Sequence, residues 1–277
     1  MDSCSLLEED SANRFLCFNL GENRALSAVP RLQVLNPNVN VEADISPLKE
    51  KEEEYFVHFD LICVTGCCLK TLIWLNEICR KHNIKFFCGD VWGYYGYFFT
   101  DLQEHTYAID VPKQKMDTIV VEETRGKRDG GTEEEETITE KRNISYCSLQ
   151  DSLSFNWSKK PVKYFRRTPT TFFVIKALQT FRDLKEHDPR VNSINEDQKT
   201  LLELKQKVTQ ELELGVELIN DHFISHCFSQ LSPVCAIVGG VLAQEIIKAI
   251  SAKDIPFHNM FLFDGVKSTG IVESLKP

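Results

Sequence analysis

Phe86 to Phe99, FFCGDVWGYYGYFF, decides how the rest of the chain is read. Apolar and aromatic residues favour strands, and Gly89, Gly93 and Gly96 punctuate what would otherwise be one hydrophobic run. Glycines inside a strand pattern mark bulges, tight turns or points where another backbone comes close. The stretch therefore reads as a buried hairpin. Upstream, Phe56 to Val64 is apolar almost throughout, as a central parallel strand would be. Between the two, Leu69 to His82 has helical spacing at Leu72, Leu75, Ile78 and Cys79 and ends in a basic turn that complements the helix dipole. Strand, helix and strand over about 30 residues make one βαβ unit, for which a right-handed crossover is nearly obligatory. The expected fold class is α/β, with a Rossmann-like, mostly parallel sheet.

Working outward, Asn13 to Leu35 has a helical pattern that stops at Asn36-Pro37. Val39, Val41, Ala43 and Ile45 then alternate with polar residues as in a half-buried strand, and Lys49 to Glu54 reads as a charged linker. Residues 113–142 carry Gly130-Gly131, the acidic run Glu133 to Glu136 and few core residues, so a solvated, disordered loop is expected. The basic group Arg125, Lys127 and Arg128 within it reads as solvation rather than as an import signal. From Pro169 to Gly215 the pattern gives two or three short helices, and Asn220 to Ser229 one more. The expected organisation is residues 1–112 as the first part of the α/β domain and 113–142 as the loop. Residues 143–230 form a small inserted helical subdomain, and 231–277 return to the α/β domain.

The chain has 277 residues, 42% of them hydrophobic and 26% charged, an ordinary globular composition. A formal net charge of −9, from 32 Lys and Arg against 41 Asp and Glu, argues against a nucleic-acid surface, which needs a basic footprint. Ten cysteines are scattered through apolar segments without the paired C-x-x-C spacing of a zinc site and read as buried free thiols. The acidic start MDSCSLLEED does not read as a secretory signal, and the longest apolar helix is interrupted by Gln244, Glu245 and Lys248, so no membrane span is expected. A reducing compartment, cytosolic or nuclear, follows.

A nucleotide site in this fold class needs a glycine-rich turn that joins the first strand to a helix N-terminus, and none is present. Gly239-Gly240 instead lies inside the helix of SPVCAIVGGVLAQEIIKAIS, Ser232 to Ser251, with Ser232 expected as N-cap and Pro233 in the first turn. Each mid-helix glycine costs about 1 kcal/mol relative to alanine, so close packing against another element is the expected reason for the pair. Cys147 and Cys235 are the two positions to consider for a nucleophile, and their apolar surroundings favour a structural role. His222 and His226 are spaced i, i+4 without a third ligand and read as helix surface. Glu104, His105 and Asp90 are of acid–base type, but no spacing selects them. Asn23-Arg24 reads as an exposed helical polar pair.

FLCFNLGENRALSAVPRLQVLNPNVNVEADI, IKFFCGDVWGYYGYFFTDLQEH, and SPVCAIVGGVLAQEIIKAI followed by FLFDG resemble, as an ordered set, the activating enzymes of ubiquitin-like proteins. The similarity covers nearly the whole chain and is weakest over 113–142. Length and motif place the chain beside the smaller, non-catalytic subunits of the heterodimeric members, those that activate SUMO above all. It ends after one repeat, and it shows neither the thioester cysteine nor the four-cysteine zinc site of catalytic subunits. The resemblance implies an adenylation fold of the ThiF and MoeB type. It also implies a heterodimer in which the catalytic subunit of the SUMO-activating enzyme binds ATP and Mg, adenylates SUMO and transfers it to its own cysteine. It assigns this chain no catalytic residue, cofactor or metal, reaches SUMO only through the complex, and points to the nucleus and cytoplasm, with no membrane or nucleic-acid partner. Gly89, Asp90, Gly93, Gly96, Gly239, Gly240, Gln244 and Glu245 are the candidate structural and interface residues.

In the family an arginine-bearing helix, a first strand, a degenerate glycine-rich turn and a further strand precede the loop with which this chain begins, so an N-terminally truncated fold is expected. Neither Arg14 nor Arg24 inherits that arginine's role. An interaction fragment without activity, the equivalent subunit for another modifier, and a Rossmann-type oxidoreductase remain as alternatives.

Overall fold

The computed structural model of the chain describes residues 22–112, 137–155, 170–211 and 219–276. Its centre is the expected hairpin. Strands β2 (Lys85–Trp92) and β3 (Tyr95–Asp101) pair antiparallel, from Phe86 opposite Asp101 to Trp92 opposite Tyr95, and every residue of β3 is buried. β1 (Leu61–Val64) runs parallel to β2, joined to it by helix α3 (Leu69–Lys81), which confirms the βαβ unit. On the other side β6 (Met260–Asp264) pairs antiparallel with β3, and β7 (Thr269–Glu273) with β6. The order β1-β2-β3-β6-β7 is a mixed sheet within the α/β class. Its one parallel step is β1 to β2, where a mostly parallel sheet was expected. Tight connections, Gly93-Tyr94 and the turn at Gly265, impose antiparallel pairing on the later strands.

Side-chain alternation divides the sheet into two faces. Phe86, Cys88 and Trp92 of β2, Tyr97 and Phe99 of β3, and Met260 and Leu262 of β6 pack with α3 and with α5 (Thr170–Lys185) and α6 (Ile194–Glu211). Phe87, Val91, Phe98, Phe261 and Phe263 point the other way, against Val234, Val238, Leu242 and Ala249 of α7 (Ser232–Ser251). Helices therefore cover both faces. The expected helical insertion shares the first core with the sheet: Phe173, Leu178 and Phe181 of α5 lie in one cluster with Leu72 and Phe86. Each such side chain, fully buried, contributes about 1.5–3 kcal/mol.

Several expectations are corrected in detail. Phe56 belongs to the short helix α2 (Glu53–Phe56), its ring buried edge-to-face against Trp74, so the strand starts at Leu61. That strand is an edge among the described residues, with Cys63 exposed, not a central one. Val39 to Ile45 is not a strand. The Gln33 side chain of α1 (Arg24–Leu35) donates to the Val39 carbonyl at 2.6 Å and accepts from the Val41 N–H, and this side chain replaces a strand ladder. Part of the expected loop, residues 137–142, is strand: β5 (Thr137–Ser145) pairs along its length with β4 (Glu104–Pro112) in a two-stranded ribbon. Residues 113–136, Gly215 and the first half of the helix expected from Asn13 lie outside the described residues. Helix α4 (Leu149–Leu153) is short, and Asp221–His226 forms a 3-10 helix with His222 on its exposed side.

Candidate functional site

The hairpin glycines are buried, and the structure gives a reason for each at a close approach. Gly93 sits in the turn with φ of +54°, and a Cβ there would lie 1.9 Å from the His226 carbonyl oxygen. Gly96 lies under α7, where a Cβ would come within 2.6 Å of Val238 Cγ2. Gly89 faces β3, where a Cβ would lie 2.6 Å from the Tyr97 carbonyl oxygen, so all three glycines are internal to the fold, and Gly93 and Gly96 fix how the 3-10 segment and α7 seat on the sheet.

Asp90, on β2 between these glycines, is also buried, at 7% exposure. It accepts from Arg182 Nη1 of α5 at 2.6 Å and from the Gly66 N–H at 2.7 Å. Arg182 in turn donates to both carboxylate oxygens of Asp188, at 2.7 and 2.9 Å, and to the Cys67 carbonyl at 3.2 Å. Its guanidinium lies 4.6 Å from the Trp92 ring centroid, and the Trp92 indole N–H donates to Asp188. Burial pushes the Asp90 carboxyl up to about 6 against the pull of Arg182 and of the Gly66 amide. The same carboxylates hold Arg182 charged: its pKa lies above the ordinary arginine value despite burial. Asp90 is spoken for within the fold and is no free acid or base. Arg182 and Asp188 were missed in the sequence because they lie far from Asp90 along the chain. The one signal was a run of charges, RDLKEHD, at the end of an otherwise apolar helix.

The eight described cysteines form no disulfide. Burial raises the thiol pKa at Cys67, Cys88 and Cys147, and lifts Cys79 and Cys227 to about 12. Cys147 donates to the Leu275 carbonyl at 2.9 Å and accepts from the Asn259 amide. Those five thiols are protonated at neutral pH, the reverse of what a nucleophile needs. His105 is buried in the ribbon, where burial lowers its pKa, while Glu104 is exposed and accepts from the Ser145 hydroxyl. Asn23 is a helix cap, not part of a charge pair: its Oδ1 accepts from the Ala25 N–H at 2.9 Å.

Helix α7 behaves differently from the hairpin. It begins at Ser232, so Leu231 and not Ser232 is the N-cap, and Pro233 lies in the first turn as expected. One face packs on the sheet. Glu245, 1% exposed, accepts from the Phe257 N–H at 2.6 Å and from Lys248 at 2.7 Å, tying the helix to the segment that follows. The opposite face carries Ala236, Ile237, Gly239, Gly240, Ala243, Gln244, Ile247 and Ile250, all exposed and none charged. Ile237, Ile247 and Ile250 are 45%, 56% and 66% exposed. A Cβ on Gly239 or Gly240 would meet nothing within 4 Å, so the expected packing partner is not an element of the described chain. Length and hydropathy alone would suit a membrane span, but a helix seated on the sheet by Val234, Val238, Leu242 and Ala249 is a core helix with one open side.

Of the eight candidate residues, then, Gly89, Asp90, Gly93, Gly96 and Glu245 are buried inside the fold. Gly239, Gly240 and Gln244 gather on the open face of α7.

Comparison with known proteins agrees with this architecture. The model of the ThiF family matches residues 8–277. SUMO-activating enzyme subunit 1 of Xenopus laevis is 41% identical over 278 residues, covering 99% of this chain and 81% of that protein. Its Danio rerio counterpart is 39% identical over 255 residues, 91% of this chain and 73% of that protein. The Homo sapiens protein is 37% identical over 280 residues, 100% of this chain and 81% of that protein. A sheet covered by helices on both faces, the family match over nearly the full length, and identity at this level lead to one assignment: the chain belongs to the ThiF family.

Proposed function

We propose that the chain is the non-catalytic subunit of a heterodimeric SUMO-activating enzyme. It supports ATP-dependent adenylation and thioester formation that take place in its catalytic partner. One observation carries the reading beyond relatedness: α7 presents an uncharged face with two mid-helix glycines that no described residue covers. Two glycines in a helix interior cost about 2 kcal/mol together. An apolar helix docking closely over them supplies the compensation, and the catalytic subunit is the occupant assigned here. Nucleotide, Mg and the thioester cysteine belong to that partner, and SUMO is met through the complex. The proposed compartment is the nucleus, with a cytoplasmic pool.

The test is to co-express the chain with the catalytic subunit of a SUMO-activating enzyme, isolate the complex by size exclusion, and follow ATP-dependent thioester formation on the partner's cysteine. A one-to-one complex that is active where the partner alone is not supports the proposal. Failure to co-elute, or a complex that adds nothing to the partner's activity, overturns it.

A further inference from the structure

In an open α/β sheet a ligand settles in the crevice outside the carboxyl ends of the parallel strands. In this chain those ends are Val64 of β1 and Trp92 of β2, with the turn Thr65 to Cys68 leading into α3. Two backbone amides of that turn and helix start are engaged by carboxylates. The Gly66 N–H donates to Asp90 Oδ1 at 2.7 Å, and the Leu69 N–H donates to Asp183 Oδ1 of α5 at 2.7 Å. Between them Arg182, its side chain 7% exposed, spans from Asp90 to the Cys67 carbonyl and stacks on Trp92. The neighbouring turn of the same helix adds Gln179, which donates to the buried Tyr97 hydroxyl at 2.8 Å.

We propose that the C-terminal half of α5 is a built-in closure of this crevice, with Arg182 and Asp183 filling from within the chain the place where a sheet of this class would hold a ligand. The closure belongs to this chain alone and stands whether or not the subunit reading does. It differs from general packing in being polar and local. A buried ion pair is poor at adding stability but sharp in fixing one arrangement, because a misplaced partner leaves a charge unpaired. Asp90, Asp188 and Arg182 can be satisfied together only when the last turn of α5 brings Arg182 to Asp90 of β2 and to the turn that follows β1.

Cys88 is the reporter. It is fully buried on β2, two residues before Asp90 and on the same face. The experiment is iodoacetamide labelling of Cys88 in the full chain, read by mass spectrometry, with hydrogen exchange measured in parallel. The paired substitution Arg182→Met with Asp90→Asn removes the buried ion pair without stranding the Asp90 charge, and Asp188, whose side chain is 40% exposed, keeps water and the Trp92 indole N–H as partners. Asp183→Leu removes only the acceptor of the Leu69 N–H.

For the pair we expect Cys88 labelling at least tenfold faster than in the unsubstituted chain, faster exchange in α5 and residues 66–71, and unchanged protection in β3. For Asp183→Leu the exchange increase should be confined to residues 66–71 and the start of α3. If Cys88 labels no faster, or only in step with exchange of β3, the closure is ordinary core packing and the proposal is overturned. Should the pair fail to fold, Asp183→Leu decides alone: unchanged exchange over residues 66–71 rejects the closure.

Discussion

Replacing Gly239 and Gly240 together by alanine should stabilise the isolated chain and weaken its complex, a combination that few substitutions share. Both glycines lie in the interior of α7, twenty residues long, and no described residue comes within 4 Å of the place a Cβ would take. Alanine therefore meets no clash, and each replacement gains about 1 kcal/mol of helix propensity, partly by restricting the unfolded chain. At roughly 2–4 °C per kcal/mol for domains of 150–250 residues, the double substitution should raise Tm by about 4–8 °C, toward the lower figure in a chain of this size. In a complex the same two methyl groups must fit where a partner packs against bare backbone. Overpacking of that kind costs about 1–3 kcal/mol, which is roughly 5- to 150-fold in Kd. Thermal denaturation of the isolated chain and titration against the catalytic subunit read the two effects separately. Unchanged or lower thermal stability would refute the claim that this face is open. Higher stability with an unchanged Kd would refute the claim that the partner sits on it.

Three further outcomes follow from the packing and the titrating groups. Gly96→Ala should cost about 1–3 kcal/mol by overpacking, since the new Cβ would lie 2.6 Å from Val238 Cγ2. Adding Val238→Ala should recover part of that loss, and a strictly additive double mutant in urea denaturation would show that the two do not touch. Asn259→Ala should cost about 1–3 kcal/mol, the price of leaving buried backbone groups unpaired, because the Asn259 side chain donates to the Leu275 carbonyl and accepts from the Leu275 N–H, both at 3.0 Å. An unchanged urea midpoint would contradict it. His258 is held by the Ser145 carbonyl, which accepts from Nε2, and the Ser274 hydroxyl at Nδ1; burial lowers its pKa below 6.5 and outweighs the Ser145 carbonyl, which pulls the other way, so the fold favours the neutral ring. The unfolded state then binds the proton first, and this contribution to stability, complete above about pH 6.5, is lost as the pH falls below it. Asp90, raised to about 6, acts with the opposite sign over the neighbouring range. Comparison with His258→Gln isolates the histidine: the variant should lose less stability between pH 7 and 5 than the unsubstituted chain, and equal slopes would rule the effect out.

The hairpin was legible because its information is local. Alternation of apolar residues, three glycines and the dipeptide Gly93-Tyr94 specify two strands and a turn without reference to the rest of the chain. Helix α3 was legible for the same reason, to within a residue of its observed end. The alternation at Val39 to Ile45 looked equally clear and failed, because period two states only that a segment is extended, not that a neighbouring strand exists to pair with it. The Gln33 side chain provides the hydrogen bonds there instead. The ribbon of β4 and β5 escaped for the converse reason. Its strands are separated by 24 residues outside the described structure, and TITEKRNIS is too polar to stand out as a strand until its partner is known.

The site shows the same limit in a sharper form. A carboxylate next to glycines in a strand, Asp90, looks available in sequence, and only the fold reveals that Arg182 arrives 92 residues later to neutralise it. The Gly239-Gly240 pair carried the opposite information. Helix propensity says that two interior glycines need a reason, and that inference is local and sound. Which element supplies the reason is not local at all, and packing within the chain was the natural expectation. Among the described residues the structure offers no such element, since neither glycine has a neighbour within reach of a Cβ while the flanking isoleucines stand exposed. A helix cost without a return among the described residues, on a face without charge, in a family whose relatives are named as subunits, favours an intermolecular return as the explanation that accounts for all three.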